Sequence, residues 1–435
     1  MTSRLDASYA VVRKTGIPEG WTERRVSDLV RIVSGGTPDR NESSYWRDGG
    51  IPWITPTDLT ANNNKYISKG TEHISEAGFT KSNARLVPVG SIIFSTRGTV
   101  GNLAMAGVPL TTNQSCEVLV PRDESVCSEF LYYLLNYGMF AFHRLAGGTT
   151  FGAITRREIA RVWLAMPEPD EQAAIARVLD AVDKAIDRAY IAIEKAQATR
   201  LALMQAAFHY EMTSEPKHDT DAGRIPQSWE ALKGRQAFTV LTGGNSSVHA
   251  LKPLRGEDVA DAWFMKVDDF NLPANFRQIV TTQIGFVADK NPSFKLLPLG
   301  TIIIAKRGAA ILKNRVRTTA VPVALDPNLM AIKVRDDILS DFFRYQLEWR
   351  NLARYIESSG VPQLNNKDLY PRWFVRPPEE QQQEIVAIIS AAEQHEDALH
   401  RKLSALVQLK KSLMHDLLTG SMRVDPKLFK ELNAS

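Results

Sequence analysis

Cysteine is nearly absent from this chain: Cys116 and Cys127 are the whole complement, and neither they nor the eight histidines fall at metal-ligand spacing. That excludes a disulfide framework and leaves no zinc signature, and both cysteines read as small packing residues. No apolar run reaches 18 residues, so no membrane-spanning helix is expected. The opening stretch "MTSRLDASYAVVRKTG" lacks the apolar middle and small-residue cleavage site of a secretory signal, so cytoplasmic residence is expected. Phosphate-loop, HExxH and serine-elbow motifs are missing as well, which excludes the commonest nucleotide-hydrolysing, zinc-protease and esterase chemistries. A strong charge of either sign is also missing: the net charge of +4 permits nucleic-acid binding without requiring it.

What is present is a long chain of 435 residues with 44% hydrophobic content, enough for two cores or more. It is internally duplicated. "IPEGW" at Ile17 to Trp21 answers "IPQSW" at Ile225 to Trp229, and "SGG" from Ser34 answers "TGG" from Thr242, both 208 positions later. "PVGSIIFSTRG" from Pro88 answers "PLGTIIIAKRG" from Pro298, Trp53 aligns with Trp263, "ITRREI" from Ile154 with "LNNKDL" from Leu364, and Pro167 with Pro377, all at 210. So steady an offset identifies two copies of one plan.

Each copy has two parts. The first is rich in short β-branched and aromatic runs broken by Gly, Pro and Asn, which predicts a mixed domain of short strands and a few helices. The second, Asp170 to Met212 and again Glu379 to Thr419, contains neither Gly nor Pro. There, apolar residues recur in alternating steps of four and three: Ile175, Leu179, Val182, Ile186, Ala189, Ile193, Ala196, Arg200, Leu203 and Ala207 in one copy. The other copy gives Ile385, Ile389, Ala392, Glu396, Leu399, Leu403, Leu406, Lys410, Leu413 and Leu417. Spacing of 3.5 is the coiled-coil period, so the two stretches are expected to pack on each other, antiparallel if a two-fold axis relates the copies. "PEPDEQ" and "PPEEQQQ" start both helices, with Pro before the first turn and acids in it. The reading is therefore α+β, with this division: an N-terminal segment 1–16, a globular domain 17–167, a long helix 168–212, a polar linker 213–224, a second globular domain 225–377, a second long helix 378–419 and a tail 420–435.

Charge is unevenly placed. Residues 17–167 hold 15 Lys and Arg against 14 Asp and Glu, whereas 224–376 hold 22 against 14. No acid lies between Glu76 and Glu117, where Lys81, Arg85 and Arg97 fall, nor between Asp289 and Asp326, where Lys290, Lys295, Lys306, Arg307, Lys313, Arg315 and Arg317 fall. An acid-free basic window at the same place in both copies suits a phosphate-facing surface, although solvated strand charges would give the same pattern. Alternation in "RVRTT" puts Arg315 and Arg317 on one strand face. Thr96 belongs to the same repeated turn. Weaker candidates are Tyr45, Trp46, Asn63 and Lys65 in loops of the first copy, and Thr149, Thr150, Arg156, Gln363, Asn365 and Lys367 just before each closing strand.

Globular domain and long helix, twice over, with "GGIPWITPTDL" in the first copy and "LVQLKKSLMHDLLTGSMRV" near the end of the second, resembles the specificity subunit of type I restriction-modification systems. The resemblance runs from Ile17 to Val424. It implies two target recognition domains, each reading one half of a bipartite, asymmetric site in double-stranded DNA. It implies that the helix pair sets the unread spacer and docks two adenine-N6 methyltransferase subunits, with motor and nuclease restriction subunits joining them. The chain would then be non-catalytic and hold no cofactor or metal, S-adenosylmethionine, ATP and Mg belonging to the partners. Two other readings stay open: a specificity subunit of a fused methylase-nuclease system, and a restriction or modification enzyme with its own active site. For the latter, "NPSF" from Asn291 is similar to an amino-methyltransferase motif but lacks its second Pro and any upstream Gly-rich loop.

Overall fold

A computed structural model describes residues 17–139, 153–241, 248–356 and 360–425. The chain forms two compact units, Met1–Asp187 with Ser404–Ser435, and Arg188–Leu403.

In the first unit the strands are β1 (Thr22–Arg25), β2 (Val30–Ser34), β3 (Ile51–Ile54), β4 (Tyr66–Ile67), β5 (Glu72–Ile74), β6 (Ile92–Ser95), β7 (Leu103–Ala106), β8 (Thr111–Thr112), β9 (Cys116–Pro121) and β10 (Trp163–Met166). They form a five-stranded sheet in the order β2-β9-β6-β7-β4, a three-stranded sheet β5-β3-β8 and a pair β1-β10. Strand β6 lies in the middle of the larger sheet and is buried on both faces, which is why "IIF" is a continuous apolar run and not an alternating one. The helices are α1 (Val26–Leu29), α2 (Pro56–Ala61), α3 (Glu76–Thr80), α4 (Ser128–Tyr137), α5 (Arg156–Ala160) and α6 (Pro169–Phe208), the last shared with the second unit.

In the second unit α6 is followed by a hairpin of β11 (Lys217–Thr220) and β12 (Gly223–Pro226), which overlaps the stretch 213–224 that the sequence marks as a polar linker. It continues with β13 (Glu230–Lys233), β14 (Phe238–Leu241), β15 (Ala262–Met265), β16 (Gln278–Ile279), β17 (Ile284–Phe286), β18 (Ile302–Ala305), β19 (Val316–Thr319), β20 (Val323–Leu325), β21 (Leu329–Val334) and β22 (Trp373–Arg376). Its helices are α7 (Gly234–Ala237), α8 (Ser340–Arg350), α9 (Asn366–Leu369) and α10 (Glu379–Leu418). The orders β14-β21-β18-β19-β16, β17-β15-β20 and β13-β22 repeat those of the first unit strand for strand.

The repeat corrects one sequence alignment. Trp53 occupies the place of Phe264, not Trp263: Trp53 pairs with Thr111 and Glu72, as Phe264 pairs with Ala324 and Ile284. Trp53 and Phe264 are buried, whereas Trp263 is only half-buried. A slip of one residue in a strand exchanges its two faces, so a constant offset of 210 misplaces this side chain. The cap Thr55/Asp58 and its counterpart Lys266/Asp269 confirm an offset of 211 here.

Each long helix runs unbroken for 40 residues. In the first unit Ile175 and Leu179 share a core with Leu417 and Leu418, while Asp183 meets Lys410 further on, so the two stretches run antiparallel. In the second unit Met204, Ala207 and Phe208 share a core with Ile385 and Ile389, while Arg200 meets Glu396, again antiparallel. Ile175, Leu179, Ala189, Ile193, Ala196, Ala207, Ile385, Ile389 and Leu417 are buried. The other apolar seam positions, Val182, Ile186, Leu203, Ala392, Leu399, Leu403, Leu406 and Leu413, are half-buried. The polar residues that interrupt the seam are paired: Lys410 Nζ with Asp183 at 2.5 Å, and Arg200 with Glu396 at 2.9 Å and Glu348 at 2.8 Å.

A buried amide joins each domain to its helix. The third positions of α4 and α8 are Phe130 and Phe342, both committed to the core, so neither helix can form a capping box with its own acid or amide. The amide comes from the long helix instead. Gln172 Oε1 accepts from Cys127 N at 2.9 Å, and its Nε2 donates to Ser125 O at 3.1 Å and Pro167 O at 2.9 Å. Gln382 repeats this set with Leu339 N at 2.8 Å, Asp337 O at 3.0 Å and Pro377 O at 2.9 Å.

The second unit also buries an ionic cluster. Arg344, 1% exposed, grips Glu393 with two bonds of 2.9 and 2.8 Å, and the Tyr345 hydroxyl donates to the same carboxylate at 2.9 Å. Burial alone would raise the Glu393 carboxyl, but Arg344 and the tyrosine outweigh it and hold it below the ordinary range. Breaking such a pair leaves an uncompensated charge, and Arg344→Met should destabilise the chain by about 3–5 kcal/mol at pH 7 in chemical denaturation. The wild-type contribution is present above the unfolded carboxylate pKa of about 4.3 and is lost as pH falls through the depressed folded value. In the variant Glu393 keeps only the Tyr345 hydroxyl and Arg277 at 3.6 Å against its desolvation and gains a proton more readily, so the deficit should shrink as pH is lowered from 7 towards 4.

Candidate nucleic-acid interface

The repeated Arg-Gly turn follows the central strand in both units, and one hydrogen bond fixes it in the same way. In the first unit Ile154 N donates to Thr96 O at 3.1 Å, and in the second Leu364 N donates to Lys306 O at 2.9 Å. The turn is thereby tied to the residue before the N-cap of α5 or α9, short helices in which Glu158 or Asp368 accepts from the N-cap backbone N–H of Thr155 or Asn365. Gly98 and Gly308 take φ of +76° and +78°, left-handed backbone that the turn requires and glycine supplies.

In the first unit Arg97 projects from this turn and is exposed, with no ion pair among the described residues. Thr96, expected at the interface, is buried, and its hydroxyl donates to Ser115 O at 3.0 Å. It holds the turn and does not face outward. Gly36 rests on Asn83, where a Cβ would come within 2.4 Å of the backbone, so the loop bearing Lys81 and Arg85 lies beside the end of β2. Lys81, Arg85 and Arg156 are exposed, as is Asn63. Lys65 is not available: its ammonium is bonded to Asp180 on α6 and lies 5.3 Å from the Tyr133 ring. Tyr45 and Trp46 are half-buried; the Trp46 indole meets Trp53 edge-on at 5.0 Å under the Arg40 guanidinium, so Trp46 is a packing residue. Thr149 and Thr150 lie outside the described residues.

In the second unit the backbone gathers several predicted residues. Arg307 forms an antiparallel bridge with Gln363, and Gly308 N donates to Pro362 O at 2.8 Å. Arg307, Gln363, Lys313 and Lys367 are exposed, and Lys306 and Asn365 half-buried, with Gln363 Nε2 donating to Asn365 Oδ1 at 3.0 Å. Arg315 and Arg317 do share a side, as alternation predicted, but that side faces the protein. Arg315 donates to Phe270 O at 2.9 Å and Asn271 Oδ1 at 2.6 Å, and Arg317 to Asn275 O at 3.2 Å and Val316 O at 2.9 Å. Both are clamps on the segment 270–275. Lys290 is likewise paired, with Asp258 at 2.5 Å.

Lys252 and Arg255 are two further exposed cations, in the loop before β15. Nearby Glu257, Asp258 and Asp261 hid them from a search for acid-free windows. Among the described residues no cluster of His, Cys, Asp or Glu could hold a metal, and no helix is long and apolar enough to cross a membrane.

Free and committed arginines should behave differently. Arg307→Ala should leave stability within about 0.5 kcal/mol, weaken DNA binding and reduce the salt slope by about one unit if it holds a phosphate. Arg317→Ala should lower the melting temperature and affect DNA only through the folded fraction. Equal effects of both on salt dependence would refute this division.

The chain matches the family model of the type I restriction modification DNA specificity domain over residues 18–195. It is 26% identical over 418 residues to the type I restriction enzyme MjaIX specificity subunit of Methanocaldococcus jannaschii, spanning 94% of this chain and 95% of that one. It is also 26% identical over 172 residues to the EcoR124I/EcoR124II specificity subunit of Escherichia coli, 38% of this chain and 42% of that protein. Among solved structures, the S subunit of a type I system from M. genitalium superposes with a TM-score of 0.58 at 17% identity, covering 91% of this chain and 96% of that one. A chain from a study of complex assembly and conformational transition in the type I R-M system superposes at 0.54 and 16% identity, covering 93% and 99%. With a duplicated strand-rich domain and a long helix after each copy, the chain is similar over nearly its whole length to a specificity subunit of a type I restriction-modification system, and its residues 18–195 match the DNA specificity domain of such systems.

Proposed function

We propose that residues 17–167 and 225–377 are two target recognition domains, each reading one half of a split, asymmetric site in double-stranded DNA. The stretches 168–212 and 378–419 set the distance between the half-sites. Two adenine-N6 methyltransferase subunits dock on the helices, and motor and nuclease subunits complete the restriction complex in the cytoplasm. S-adenosylmethionine, ATP and Mg act in those partners, and this chain supplies recognition only.

The observation that carries the reading is the same exposed arginine, Arg97 or Arg307, on the same hydrogen-bonded turn of two strand-for-strand equivalent domains, each continuous with a 40-residue helix. The loops around the two turns differ in sequence, as two readers of different half-sites require. A phosphate or guanine edge is the natural partner of an unpaired guanidinium at such a place.

Co-expression with its methylating subunit and mapping of modified adenines by single-molecule sequencing should return a two-part motif with a fixed gap. A short unsplit motif, or modification without this chain, would refute the two-reader function. Removing one seven-residue step from both helices shortens each by about 10 Å, close to three base pairs of rise. The mapped gap should shorten accordingly with both half-sites unchanged.

A further inference from the structure

The two reading domains differ in most of their loops, yet each is fastened to its helix by the same polar contacts at the same two points. The first is the buried glutamine, Gln172 or Gln382, 2% and 0% exposed, which ties the start of α4 or α8 to the joint between closing strand and long helix. The second is a phenol from the same short helix. Tyr133 donates to Asp183 at 2.7 Å, and Tyr345 to Glu393 at 2.9 Å. Asp183 and Glu393 each lie eleven residues beyond their glutamine, about three helical turns. The neighbours of these groups differ between copies: Glu171 against Gln381, Ala173 against Gln383, Tyr132 against Arg344.

Apolar contacts between a domain and a helix are non-directional and tolerate small slides or rotations. Hydrogen bonds to a fixed backbone N–H and two carbonyls do not, because they weaken steeply with distance and angle. One such point would still allow pivoting; a second, three turns away, removes it. We propose that Gln172 with Tyr133 and Asp183, and Gln382 with Tyr345 and Glu393, are positioning brackets that fix the attitude of each reading domain on its own stretch of helix. They thereby set how strictly DNA is rejected when the gap between half-sites is wrong by one base pair. The proposal rests on the two-reader function above.

The test uses the full chain in complex with its methylating partner, and three sets of duplexes: both mapped half-sites at the mapped gap, the same with the gap one base pair longer or shorter, and the mapped gap with one half-site mismatched. Gln172→Met removes all three bonds of one bracket point, and Gln382→Met the other. Tyr133→Phe and Tyr345→Phe remove only a hydroxyl, so they remain informative if the methionine variants do not fold. Wild type should prefer the mapped gap. The preference should fall about ten-fold in the folded glutamine variants and several-fold in the phenylalanine variants, with discrimination against the mismatched half-site unchanged. Folded variants that keep wild-type gap discrimination, or lose gap and half-site discrimination in equal proportion, overturn the brackets. A wild-type complex with no gap preference overturns instead the two-reader function on which they rest.

Discussion

Each unit depends on one fusion: the core of a strand-rich domain runs without a break into the apolar stripe of a long helix. Ile175, Ala176 and Leu179 belong to the cluster built on Phe94, Phe130 and Leu119, and Ile385 and Ile389 to that built on Phe238, Phe343 and Ile304. A 40-residue helix with a seam only two or three residues wide per heptad is poorly stabilised by propensity alone. Burial against its domain and against the antiparallel neighbour supplies what propensity lacks. The domain in turn gains a rigid base for the turn that follows its central strand.

Polar groups then convert this non-directional burial into a defined geometry. The buried glutamines, the phenol-carboxylate contacts and the seam cations all have partners, although one oxygen of Glu348, the second partner of Arg200, is buried without a hydrogen bond; buried polar groups confer specificity when they are paired in this way. The units solve the same problem with different amounts of charge. The first uses Tyr132 where the second uses Arg344, and the second accordingly carries a larger buried ionic cluster.

For recognition, the consequence is a division among basic residues. A cation held by an internal carboxylate or carbonyl fixes the scaffold; one left free on a tied-down turn can meet DNA. Lys65, Arg315 and Arg317 are of the first kind, Arg97 and Arg307 of the second. The free ones sit on backbone fixed by at least one long-range hydrogen bond, so each exposed side chain projects from a defined anchor.

Much of the architecture was legible because it is written in local periodicity and in duplication. The helix pair follows from a 3.5-residue recurrence with no Gly or Pro, the fully buried central strands from "IIF" and "III", and the equivalence of the two copies from a nearly constant offset. Local pattern fails where a shift of one residue or a distant partner decides. Trp53 and Trp263 look equivalent until strand pairing shows the extra residue between copies. Thr96 reads as a turn hydroxyl until Ser115 is found to accept from it, and Lys65 reads as a loop cation until Asp180, 115 positions away, is found beside it. The sequence by itself determined the elements, their order and their repetition, since these depend on residues within a turn or two of one another. Only the tertiary structure decided which charges are free, because a side chain is neutralised by whatever the fold brings within about 3 Å, irrespective of separation along the chain.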